Sequence, residues 1–159
     1  MNTADALLIA HLIGALWMSG GAIALTFVTW GGGASSERAA LQLRARLQRL
    51  SVLAGVVPGS LIAVVFGSWL AAELDYSFGG AWLSSSYVLW SSYVLWLIFL
   101  GIATGIVSPR ARRAELAVDS GAASGGGQPS RDGVLALAVI VLDVLLVAFI
   151  VLMTTRPGA

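Results

Sequence analysis

The sequence has no cysteine and no lysine, and only one histidine. Without cysteine there is no disulfide, no thiolate metal site and no cysteine nucleophile. Without lysine there is no Schiff base and no amine general base. Charge of either sign is scarce: Asp, Glu, Lys and Arg make up 11% of the 159 residues, against about a quarter in an ordinary soluble domain. What fills the chain instead is apolar, 58% of it, with a mean hydropathy of +0.89. Most of such a chain cannot face water, and its length suits one domain.

A spanning helix needs about 20 mostly apolar residues. Four segments qualify, over about residues 4–30, 51–72, 81–107 and 133–155. The first is too long for a signal-peptide core and has no basic segment before it, so it reads as a true span. Gly31, Gly32 and Gly33 end it. Residues 36–50 mix leucines with Arg38, Arg44, Arg46 and Arg49. Ser36 and Glu37 suit the start of a helix there. The pattern predicts a basic amphipathic helix on the membrane surface that leads into the second span, or a basic connector that only fixes orientation. Pro58 removes a backbone donor inside the second span and predicts a kink near Val57–Gly59. Residues 108–132 read as a polar, flexible segment, with a disordered linker over Gly121–Ser130.

The arginines orient the chain. Arg38, Arg44, Arg46 and Arg49 precede the second span; Arg110, Arg112, Arg113 and Arg131 precede the fourth. The connection between spans two and three has none, only Glu73 and Asp75. Basic loops stay in the cytoplasm. The expectation is a multi-pass protein of the cell membrane with both termini non-cytoplasmic.

Lipid gives helices no hydrophobic reason to associate, so small residues and polar contacts must hold them. Small residues recur four apart at Gly55/Gly59, Gly101/Gly105, Ala15/Ser19 and Gly20/Ala24. The expected fold is all-α, an integral membrane antiparallel four-helix bundle. The same surfaces suit a homodimer or a larger membrane complex. The hexamer Ser-Ser-Tyr-Val-Leu-Trp occurs twice in succession, at Ser85–Trp90 and Ser91–Trp96. A period of six is not a fold-level repeat, and no function attaches to it.

Two ionisable residues fall inside spans: His11 and Asp143. A charge at mid-membrane costs about 3 kcal/mol or more, so each needs a reason. For Asp143 the functional reading is a proton or cation site; the bland one is an interhelical hydrogen bond. For His11 the functional reading is a haem or metal ligand, or a proton shuttle; the bland one is again a hydrogen bond to a neighbouring helix. A His11–Asp143 pair, between the first and last spans toward the outer half, would satisfy both. Met18 lies two turns from His11 on one face. With Met153 it would begin a copper site, though a methionine in a span is more often filler. Trp17 lies within a span; Trp30, Trp69, Trp82 and Tyr76 read as interfacial aromatics. Glu73, Asp75 and Tyr76 could attract cations at the outer mouth, or be ordinary solvated loop. No phosphate loop, metalloprotease or nucleophile-elbow pattern occurs. Topology explains the arginines better than nucleic acid does.

The stretch His11-Leu-Ile-Gly-Ala-Leu-Trp17-Met-Ser-Gly20-Gly21 has the form histidine, five residues, tryptophan, two residues, Gly-Gly. The second span ends in Gly67-Ser-Trp-Leu70, an acidic aromatic turn follows, and Trp82-Leu83 opens the third. This layout resembles a broad group of bacterial four-helix membrane proteins. The group includes predicted integral membrane proteins of unknown function, the membrane domain of copper-resistance protein CopD, and the HemJ type of protoporphyrinogen oxidase. The resemblance implies a four-helix membrane fold and makes His11 the candidate ligand of haem b or a metal. HemJ proteins also rely on a lysine in a later span, which this chain lacks. CopD-like copper handling needs more His and Met. The nearest likeness is therefore to the branch of unknown function, which carries no activity over. The first expectation is a non-enzymatic accessory or structural subunit in the lipid bilayer. The alternatives are a haem- or metal-binding redox protein using His11, and proton-coupled transport using Asp143.

Overall fold

The computed structural model describes residues 2–31, 37–74, 83–120 and 132–155. These residues are helical apart from turns and helix ends, and four stretches are long and apolar enough to cross a membrane. The six α-helices are α1 (Thr3–Gly31), α2 (Arg38–Leu50), α3 (Val57–Glu73), α4 (Leu83–Ile102), α5 (Ser108–Asp119) and α6 (Gly133–Thr155). Asn2 and Asp5 open α1 with a reciprocal cap: the Asp5 amide donates to Asn2 Oδ1 at 2.8 Å, and the Asn2 amide to Asp5 Oδ2 at 3.1 Å. Glu37 caps α2 from an extended backbone, while Ser36 lies outside the described residues.

The basic segment is helical. It runs on into the second span through a π-helical segment, Ser51–Val56, and the whole stretch Arg38–Glu73 is one helix of 36 residues. At ~1.5 Å per residue it is about 54 Å long, against about 30 Å of hydrocarbon. Its arginine-rich end must therefore stand clear of the lipid core. The polar segment after span three is likewise helical at first. A second π-helical segment, Ala103–Val107, leads from α4 into α5. The Gly121–Ser130 linker lies outside the described residues.

Both π-helical segments end just before a proline, at Val57-Pro58 and Ser108-Pro109, so each proline opens the helix that follows. A proline removes the bond to the carbonyl four residues back and crowds it. A wider turn relieves that crowding without ending the helix. The predicted kink at Pro58 is thus a local widening placed one turn earlier.

The core forms where α1, both π-helical segments, α4 and α6 meet. Leu25, Val52, Val56, Phe99, Val107, Val139 and Leu142 are buried there. Phe99 and Phe149 meet edge to face, with ring centroids 6.2 Å apart. Beyond the bundle, α2 packs on α5, joined by an Arg49–Glu115 ion pair at 2.7 Å and a Gln42–Asp119 hydrogen bond at 2.7 Å.

Candidate functional site

The tightest seam joins α1 to α3. Along α1 it uses His11, Gly14, Met18, Gly21 and Leu25, alternating three and four residues apart. Along the second span it uses Gly55, Gly59, Ala63 and Gly67, each four apart. A Cβ at Gly14 would lie 2.5 Å from the Ala63 backbone nitrogen, and one at Gly21 would lie 2.6 Å from that of Val56. One at Gly59 would meet the Met18 backbone. The helices run antiparallel with their backbones in contact, as small residues allow in lipid. Of the glycine spacings seen in the sequence, Gly55/Gly59 serves this seam. Gly20, Gly101 and Gly105 face open space.

His11 sits at the N-terminal end of this seam. Its Nδ1 lies 2.7 Å from the Ala63 carbonyl oxygen. A carbonyl can only accept, so Nδ1 carries the hydrogen and donates. The imidazole fits there because Gly67, one turn along from Ala63, has no side chain: a Cβ would be 2.7 Å from His11 Nδ1. Nε2 is then the nitrogen with a lone pair, and it makes no hydrogen bond with the described residues. Beside Gly67, the Ser68 hydroxyl meets the Tyr93 hydroxyl at 2.5 Å. One turn along α4 from Tyr93, Trp96 Nε1 is buried with no partner among the described residues.

Trp17 makes a parallel contact two turns away. Its indole Nε1 donates to the Ala54 carbonyl at 3.0 Å. Ala54 is four residues before Pro58, so its carbonyl is the one that Pro58 cannot serve. A tryptophan read as merely lying within the span thus satisfies a backbone group that lipid would leave bare.

Asp143 lies elsewhere. Both of its carboxyl oxygens approach the Thr26 hydroxyl, at 2.8 Å and 3.0 Å, linking α6 to α1. Thr26 also lies 3.1 Å from the Ala22 carbonyl. Thr26 is fifteen residues from His11 on one helix, about 22 Å along its axis. The expected His11–Asp143 pair therefore does not form. His11 belongs with span two, and Asp143 belongs at the C-terminal half of α1, nearer the arginine-rich helices. The residues between them on this face, Gly14, Met18 and Gly21, are packed against the second span. Toward the arginine-rich end the polar contacts continue, with Gln48 Nε2 donating to Thr29 Oγ1 at 3.1 Å and Arg44 donating to the Thr29 carbonyl.

Met18 is buried in the seam and Met153 is half exposed on α6, so the described contacts do not gather a copper site around His11. The described residues hold no cluster of three or more His, Cys, Asp or Glu. Glu73 is exposed; Asp75, Tyr76 and Trp82 lie outside the described residues. Sequence reasoning missed Thr26, Ser68, Tyr93 and Gly67. A polar residue deep in an apolar run was the available signal for Thr26. The four-residue spacing of Ala63 and Gly67 was the signal for the histidine seat.

Outside the spans, Asp132 caps α6. It accepts from the amides of Val134 and Leu135 and pairs with Arg110 at 2.6 Å. Desolvation alone would raise its pKa, but the Arg110 bond and charge and the two amides outweigh it and hold the carboxyl below its ordinary 3.8.

Fold and contacts define a polytopic, all-α membrane bundle whose first helix is tied to the second span through His11 and Trp17 and to α6 through Thr26. The chain belongs to the family described as predicted integral membrane protein (DUF2269), which matches residues 5–157. No curated protein and no solved structure matches the chain significantly.

Proposed function

We propose that this protein is a non-enzymatic membrane subunit, an accessory or structural element whose intramembrane polar residues hold its own helices together. One observation carries the reading: His11 and Asp143 each bond a neighbouring helix through α1. Assembly alone thus accounts for both groups that are expensive to bury. The arginine-rich end faces the cytoplasm, because eight of the nine arginines lie in the two connections on that side. Both termini then lie outside. Its partner is a second copy of the chain or another membrane protein. Purification in mild detergent tests this. A stoichiometric partner or a stable homo-oligomer supports the subunit reading, and a strictly monomeric protein with a turnover of its own contradicts it.

A second reading rests on His11 Nε2. Fixing one imidazole nitrogen on a backbone carbonyl is how proteins orient a histidine whose other nitrogen binds a metal. With one such nitrogen, His11 would suit haem b better than a metal ion held by several side chains. Bound haem would supply one-electron chemistry, while Ala63 and Gly67 would hold the ring. The visible spectrum of the purified protein decides: a Soret band lost in His11→Ala supports this reading, and its absence after haem supplementation removes it. The proton-coupled reading of Asp143 fails if Asp143→Asn leaves any measured proton flux unchanged.

A further inference from the structure

The helical layer beyond the bundle holds more positive charge than its own acids neutralise. Glu115 pairs with Arg49, Asp132 with Arg110, and Asp119 accepts from Gln42. Arg44 and Arg38 bond backbone carbonyls. Arg46, Arg112 and Arg113 are exposed and make no hydrogen bond or ion pair with the described residues.

Helix register puts two of these on one face. On α2 the row facing α5 contains Gln42 and Arg49, while Gln48 and Arg44 turn the opposite way, toward α1. Arg46 borders the α5-facing row on the side away from α1, with Leu43 and Leu50 beside it. On α5 the row facing α2 contains Glu115 and Asp119, and Arg110 turns toward the start of α6. Arg112 borders that row on the side away from α6, with Leu116 beside it. The helices are antiparallel, because Arg49 meets Glu115 while Gln42 meets Asp119. Arg46 and Arg112 therefore flank one seam on its outward side, offset by about one helical turn. Leu43, Leu50 and Leu116 around them are 57%, 46% and 56% exposed.

We propose that this seam is a binding site for an acidic phospholipid of the adjoining leaflet. Arg46 and Arg112 take its headgroup phosphate, Arg113 strengthens the local field, and the exposed Leu50, one turn nearer the second span than Arg46, meets the upper acyl chain. Charge complementarity selects this occupant: the site offers a pair of guanidinium groups, which bind phosphate by bidentate hydrogen bonds, with the exposed Leu50 below them where the helix enters its span. A free anion would use the arginines but not Leu50. The α2–α5 layer exists because both spans run on past the lipid, so the site follows from the continuous helices. It does not depend on the subunit reading.

The test is native mass spectrometry of the delipidated full chain with added phosphatidylglycerol or phosphatidylcholine, and with inorganic phosphate as competitor. The expected result is one tightly held phosphatidylglycerol, preferred over phosphatidylcholine and not displaced by millimolar phosphate. In Arg46→Gln/Arg112→Gln, affinity for phosphatidylglycerol should fall roughly tenfold to thirtyfold, at about 1 kcal/mol per arginine. Arg38→Gln, away from the seam's outward face, should retain it. Helicity and elution volume report that the variants stay folded. Equal binding of the two lipids, an unchanged double variant, or equal loss in Arg38→Gln would overturn the site. Displacement by phosphate would reduce it to an anion site and overturn the lipid.

Discussion

The α1–α3 seam and the α2–α5 layer are both antiparallel helix pairs, and they are held by opposite means. The first is packed through glycines until backbones touch, and each long polar side chain in it reaches a backbone carbonyl. The second is held by long polar side chains near water, Arg49 on Glu115 and Gln42 on Asp119, with Arg38 on the Asp119 carbonyl, and Arg49 and Glu115 stay 40% and 20% exposed. The difference follows the solvent. In lipid there is no water to satisfy a carbonyl, so His11 and Trp17 serve carbonyls directly. At the arginine-rich end water competes for every charge, so each ion pair contributes little.

That contrast ranks the effects of substitution. Gly59→Leu should be the most damaging, because a Cβ there collides with the Met18 backbone and neither helix can yield. A loss of about 3 kcal/mol or more, or failure to fold, is expected in reversible unfolding from mixed micelles. A neutral result would mean that the seam is looser than its geometry. Trp17→Phe keeps the ring but bares the Ala54 carbonyl, so it should cost about 1–2 kcal/mol. The matching variant Pro58→Ala restores an amide donor to that carbonyl and should make Trp17→Phe nearly harmless. Arg49→Gln belongs to the wet pair and should cost about 0.5 kcal/mol or less, shrinking further in high salt.

Asp132 gives the smallest effect and one that depends on pH. Its carboxyl is held below the ordinary value. Its contribution is therefore complete above that ordinary value and is lost as pH falls through the lowered one. Asp132→Asn should flatten the acid side of the stability profile while retaining a good cap. An acid limb identical to that of the parent protein would assign the titration to another group.

The all-α class and the four crossings were legible in the sequence, because apolar length alone reports them. The ends of the spans were not. Composition turns basic at Leu50, but the helix continues, since arginine, leucine and alanine are all good helix formers. The π-helical segments left no sign except the prolines after them. His11 and Asp143 were legible as residues needing partners, and their partners were not. The acceptor for His11 is a backbone carbonyl, which every residue has, and its seat is the missing side chain of Gly67. Pairing the two ionisable groups looked economical by charge, yet the antiparallel seam sets them far apart along α1.

His11 and Asp143 are separate fasteners of one helix and not a single site. A double-mutant cycle of His11→Phe and Asp143→Leu, measured by reversible unfolding, puts that to the test. Side chains separated by about 20 Å with no shared partner should add to within about 0.5 kcal/mol. A coupling energy of about 1 kcal/mol or more would return His11 and Asp143 to one site.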